Sequence, residues 1–221
     1  MIKYLFTALF HALVCSAHAQ SLNSKAIKSS GIEFFSNRNL MSDESKVRFG
    51  VKAGANFTNM NFNRIFDPPE DPVASSWKTG ILVGLFMEVP VYDKFYIQPE
   101  YQYTQAGGED NTTGKSYKMS YLSLPVLLKY EIIEKLAIVA GPQFDLLIKA
   151  EEKFEGSKTV TTHDTEERSI SIVGGLTFYP IKSMGLNARY IYGTNNIGLG
   201  QRSAVKEFKF DMAEISAAFR F

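Results

Sequence analysis

Tyr121-Leu122-Ser123-Leu124-Pro125-Val126-Leu127-Leu128-Lys129-Tyr130, continued after a short connection by Leu136 to Ile148, is the stretch on which the fold turns. It is strongly apolar, yet it lacks the period of a helix. Leu122, Leu124, Val126, Leu128 and Tyr130 recur at every second position, while Tyr121, Ser123, Pro125, Leu127 and Lys129 fill the other phase. A period of two puts these sets on opposite faces of a strand. Beyond Glu131 to Lys135, the residues Leu136, Ile138, Ala140, Pro142, Phe144, Leu146 and Ile148 alternate with Ala137, Val139, Gly141, Gln143 and Asp145. The pair reads as a β-hairpin with one apolar face and one mixed face that carries Lys129 and Asp145.

The same rhythm runs outward in both directions. Val47, Phe49, Val51, Ala53, Ala55 and Phe57 form one apolar row, and Ile81, Val83, Leu85, Met87 and Val89 a second. Phe95, Ile97, Pro99, Tyr101 and Tyr103 make the third. After the hairpin come Ile170, Ile172, Gly174, Leu176 and Phe178, then Leu186, Ala188, Tyr190 and Tyr192, and finally Ile215, Ala217, Phe219 and Phe221. In the first half of the last segment Phe208, Phe210 and Met212 fall in register with Glu214, which suggests either a bulge or a section outside the apolar zone. The connections alternate. Asn59–Trp77, Gly107–Ser116, Lys149–Arg168 and Thr194–Val205 are long and polar, whereas Pro90–Lys94, Glu131–Lys135 and Pro180–Ser183 are short.

Eight strands joined in this way predict an all-β, eight-stranded antiparallel up-and-down transmembrane β-barrel, with short periplasmic turns and long extracellular loops. The strands are about as long as the 9–11 tilted residues that cross a bilayer. Aromatic residues on the apolar phase gather near both strand ends: Phe95, Tyr130, Phe178 and Phe221 at the turn end, Phe57, Tyr103 and Tyr192 at the loop end. Membrane interfaces select such bands, although Phe144 sits between them. The second phase carries Arg48, Lys52, Glu88, Glu100, Lys129, Asp145, Arg189, Glu214 and Arg220 among many small polar residues. Five positive charges against four negative suit a narrow interior where each ion needs a partner, and we expect a charge network filling the lumen. A soluble barrel would reverse the faces, with the apolar phase around a ligand and the charges in water.

The N-terminus reads as an export signal. Lys3 supplies a positive start, Tyr4 to Val14 is largely apolar, and Ala17-His18-Ala19 fits the small-x-small pattern before a cut. Residues 1–19 are therefore expected to be a signal peptide, 20–46 a flexible periplasmic segment and 47–221 the barrel. Cys15 is the only cysteine in the chain. The Ala12-Leu13-Val14 before it lacks the small residue a lipoprotein site needs, so the mature chain is expected to have no disulfide. Net charge is +1, which gives no argument for nucleic acid as a partner.

Chemistry is sparse. Without its signal the chain keeps only His163, in a charged loop, and an isolated loop histidine lacks the partners that orient a general base. No His/Cys spacing suggests zinc. Asp67, Glu70 and Asp71 sit in an acidic, proline-rich loop that is read as solvated rather than calcium-binding. No catalytic, cofactor or metal residue is expected.

Several runs carry a resemblance: Phe49-Gly50-Val51-Lys52-Ala53-Gly54-Ala55-Asn56, Gln98-Pro99-Glu100, the decisive stretch itself, Ala140-Gly141-Pro142, and Ala188-Arg189-Tyr190-Ile191-Tyr192-Gly193. Together they resemble the PorT-like outer-membrane β-barrel proteins of Bacteroidetes, over Val47 to Phe221. The family motif usually has an acidic residue where this chain has Ser123. The resemblance implies a small OmpA-like barrel in a Gram-negative outer membrane. Expected partners are outer-membrane lipid, the barrel-assembly machinery through the C-terminal strand, and secretion-system or surface proteins. It also implies, as an alternative role, an accessory subunit of a protein-export machine.

Overall fold

The computed structural model describes residues 46–62, 75–111, 114–154, 157–162, 168–199 and 206–221. The expected signal peptide and nearly all of the expected 20–46 segment lie outside these residues, as do His163, Asp67, Glu70 and Asp71.

Eight long strands make the wall: β1 (Arg48–Asn61), β3 (Lys78–Tyr92), β4 (Phe95–Asp110), β5 (Lys115–Ile133), β6 (Leu136–Phe154), β8 (Arg168–Ile181), β9 (Met184–Gly193) and β11 (Lys206–Arg220). Three short pieces extend it, β2 (Ser75–Ser76) on β4, β7 (Ser157–Val160) on β6 and β10 (Ile197–Leu199) on β11. Each long strand pairs antiparallel with the next. The first also pairs with the last, from Gly50↔Arg220 to Asn61↔Lys209, so the sheet closes into a barrel. Closure leaves no exposed edge, the condition for strands to cross a bilayer.

The three short connections are tighter than the composition suggests. The ladders run to Tyr92↔Phe95, Ile133↔Leu136 and Ile181↔Met184, leaving two-residue turns. In the first, Asp93 has φ 44°, the left-handed conformation that two-residue hairpin turns require and that Asp tolerates.

At the other end the strands outrun their apolar rows, and this corrects two expected loops. Most of Gly107–Ser116 is ladder, paired from Gly107↔Lys118 to Asp110↔Lys115. Much of Lys149–Arg168 is also strand, because β6 continues to Phe154 and folds back through β7. These segments are polar because they stand clear of the apolar band, and a ladder is held by backbone groups whatever the side chains are.

The two faces are sorted as the alternation requires. Outward positions expose large apolar side chains, among them Ile81 (56%), Leu85 (58%) and Ile215 (62%). Inward positions bury polar ones, including Lys52, Glu100, Lys129 and Arg189. The last strand shows no bulge in its pairing with β1, so that alternative is set aside. Phe208, Phe210, Met212, Glu214 and Ser216 are all buried on one inward row. What changes along that row is the character of the interior.

Candidate functional site: the filled barrel interior

Inward residues form tiers from the turn end to the loop end. Nearest the turns, Glu88 on β3 and Glu131 on β5 face three cations from three other positions. Lys129 Nζ lies 2.9 Å from Glu88 Oε1 and 3.0 Å from Glu131 Oε1. Arg220 Nη1 is 3.2 Å from Glu88 Oε2 and 3.7 Å from Glu131 Oε1. Arg48 Nη1 stands at 3.6 and 3.7 Å from the same two carboxylates. Two tyrosine rings close the group. Lys129 Nζ sits 5.1 Å from the Tyr96 ring centre and 4.8 Å from that of Tyr179, and Arg220 lies 4.3 Å over Tyr179. At such distances the ring faces attract cations that have lost water.

The second tier is a four-charge knot. Lys52 Nζ is 2.7 Å from Glu100 Oε2 and 3.1 Å from Glu214 Oε1. Arg189 donates through Nη1 and Nη2 to the two oxygens of Glu100, at 2.9 and 2.8 Å, the fork geometry that makes Arg–carboxylate pairs strong. Gln98 Nε2 donates to Glu100 Oε1, and Ser216 Oγ to Glu214 Oε1. Thr177 donates to Asn187, which donates to Ser216. Two glycines make room for the long side chains. A Cβ on Gly175 would come within 2.7 Å of Arg189 Cγ, and one on Gly84, opposite Lys52 in the β1–β3 register, within 2.6 Å of Gln102 Cβ.

Asp145 stands apart. Gln143 Nε2 donates to its Oδ1 at 2.9 Å, and its register neighbours are Ser123 and Ser169. None of the described ion pairs includes it. The interior cavity beside it, lined also by Thr104, Tyr121 and Ser171, measures about 10 Å³, the room one water occupies.

Above this level the interior turns apolar. Met60, Met119, Tyr121, Ile191, Phe208, Phe210 and Met212 form one buried cluster. Phe208 and Phe210 meet edge-on at 5.0 Å, and Tyr121 meets Phe210 edge-on at 5.8 Å, arrangements the ring quadrupoles favour.

Of the nine charges singled out in the sequence, the structure draws Arg48, Glu88, Lys129 and Arg220 into one group and Lys52, Glu100, Arg189 and Glu214 into another, leaving Asp145 to neutral partners. Sequence reasoning missed Glu131, assigned to a turn, although it continues the inward phase of Lys129 by two residues. It also missed Tyr96 and Tyr179, which share that phase on their own strands.

The family model described as an outer membrane protein beta-barrel domain matches residues 19–198. The chain belongs to that family. Its closed eight-stranded wall is shared with Neisserial surface protein A, at 12% identity and a TM-score of 0.50, over 78% of this chain and 97% of that one. Similar coverage is found for the attachment invasion locus protein Ail of Yersinia pestis (14% identity, 80% and 99%, TM-score 0.46). OprG from Pseudomonas aeruginosa follows (12%, 80% and 97%, TM-score 0.47). No curated protein matches the chain in sequence. The family membership places this barrel in the outer membrane, with its apolar band in lipid.

Proposed function

We propose that the protein is a small non-enzymatic barrel that presents its extracellular strand extensions and loops for contact with other molecules. The occupied interior carries this reading. Two tiers of ion pairs and an apolar cluster fill the space that a channel would need, as eight strands leave room for little more than side chains. Reconstituted in planar bilayers, the purified barrel is expected to show no more than rare, small openings; a steady, large conductance would overturn the reading.

Within the family we place the chain in the PorT-like branch found in Bacteroidetes, on the runs around Phe49–Asn56 and Tyr121–Tyr130. That placement favours a second reading, an accessory component of a protein-export machine, with residues 20–46 docking periplasmic partners after removal of residues 1–19. Deleting 20–46 while barrel insertion persists is expected to abolish export; normal secretion in that strain would count against it. A lipid hydrolase or acyltransferase activity would depend on His163, and lipid turnover lost in a His163→Ala variant would revive it.

A further inference from the structure

The outward face just above the lipid-facing band is not uniform around the barrel. The pairing of β3 with β4 ends at Leu82↔Thr104, and β2 takes up the next pairing with β4 at Ser76↔Glu109. Beside this interruption lies a groove of about 580 Å³, within the size range of ligand sites. Its lining includes Trp77, Lys78, Lys118, Lys153 and Lys158, with Glu109 and Glu151 as the acids. Lys78 reaches Ser116 and stands 3.9 Å from Glu109. Glu151 is engaged by Lys149 at 2.6 Å. Lys118, Lys153 and Lys158 are exposed. Lys118 stands opposite Glu151 across the β5–β6 ladder and Lys158 also acts on that carboxylate, so one acid already held by Lys149 answers three lysines, while Lys153 lies opposite Ser116.

One pairing there is costly by itself. Lys153 and Lys158 lie directly opposite each other across the β6–β7 ladder, and like charges so placed repel. An anion between them would turn that repulsion into attraction.

The position selects which anion. Lys118 lies on the same outward row as Leu122, four residues further along β5, or about 13 Å at ~3.3 Å per residue and less in height once the strand tilts. That is headgroup level rather than bulk water. Trp77, 52% exposed, is the kind of side chain that seats at this interface. The opposite rim lacks the bias: Lys209 on β11 is accompanied by Glu207 and Asp211.

Resting on the outer-membrane reading, we propose that this groove binds the phosphate groups of an anionic glycolipid of the outer leaflet, with Lys118, Lys153 and Lys158 as the phosphate ligands and Trp77 against the lipid.

The test uses the full mature chain in nanodiscs, with diphosphorylated lipid A and its dephosphorylated form as probes and retained lipid counted by native mass spectrometry. The wild type is expected to hold the phosphorylated form at least about ten-fold better, given that each basic residue at an anionic surface strengthens binding several-fold. The Lys118→Glu, Lys153→Glu, Lys158→Glu variant should lose that preference, Lys153→Gln with Lys158→Gln should lose part of it, and Lys209→Glu should keep it. No preference in the wild type, or an undiminished one in the triple variant, overturns the site. Full displacement by an equal concentration of inorganic phosphate overturns the lipid assignment in favour of a free-phosphate site. Heat-modifiable migration on gels verifies folding of each variant. Recovery of the protein outside the outer-membrane fraction would instead overturn the location on which the site depends.

Discussion

The two halves of the barrel interior solve one packing problem in opposite ways. Toward the turns, the lumen is closed by charges: Lys52, Arg189, Glu100 and Glu214 in one knot, Glu88 and Glu131 with three cations in another. Toward the loops it is closed by Met60, Phe208, Phe210 and their neighbours. The difference lies in what each half requires of its partners. An apolar cluster needs only matched volumes, because its attraction is non-directional. A buried ion needs a specific counter-ion in a specific place, since desolvation costs several kcal/mol per charge unless pairing and hydrogen bonds offset it. The charged half therefore specifies register, tying β1, β4, β9 and β11 through four side chains, while the apolar half tolerates rearrangement.

This contrast can be broken most severely in the charged half. Glu100→Ala leaves Lys52 and Arg189 to share the single carboxylate of Glu214 and is expected to cost about 3–5 kcal/mol, the usual penalty for removing one member of a buried pair. Urea unfolding of the barrel in lipid bilayers measures it. Replacing Lys52 by Met in a Glu100→Gln background should recover part of that loss, because fewer unpaired charges remain; no recovery would mean the loss comes from packing rather than charge.

Phe208→Ala in the apolar half is expected to cost a similar or slightly smaller amount, about 3 kcal/mol, through lost burial and a residual cavity. Phe208→Leu should restore most of it, whereas a volume-matched neutral replacement of Glu100 such as Gln should not restore the wild-type value in the charged half. Equal tolerance in the two halves would erase the distinction.

On the outer face, Val126→Arg is expected to cost about 2–4 kcal/mol, as for cations facing lipid near mid-bilayer. A single cysteine at Val126 or Leu128 should be quenched by lipid-attached probes, and one at the inward Ser123 should not. The smallest effect is expected at the rim, where Lys115 and Glu152 stand 2.7 Å apart but partly in water. Lys115→Ala should change stability by no more than about 1 kcal/mol, and less at high salt.

The period-two rows from Val47 to Phe221 were enough to count the wall strands and to sort each strand into an apolar and a mixed face; the aromatic bands and the export signal were needed to turn the apolar face toward lipid. The sorting is possible because strand geometry sends alternate side chains to opposite faces, a rule local to each segment. The short–long rhythm of the connections followed from the same local reading. The inward charges were legible for a related reason: each sits on the polar phase of its own strand, so its direction is set before the barrel closes. Strand ends were less legible. Gly107–Ser116 and Lys149–Phe154 look like loops by composition, because above the apolar band both faces of a strand can be polar.

Partner choice was beyond the sequence. That Arg189 forks onto Glu100, 89 positions away in the chain, follows from closure and from the inclination of the strands, which decide which inward residues share a level. The same holds for Glu131 joining Glu88, for Asp145 being left to Gln143, and for Phe210 meeting the ring of Tyr121. The opposed pair Lys153 and Lys158 likewise arises only when β7 folds back on β6. Alternation fixes the direction of a side chain within one strand, but the company it keeps is a property of the closed sheet, where shear brings together residues that no local pattern relates.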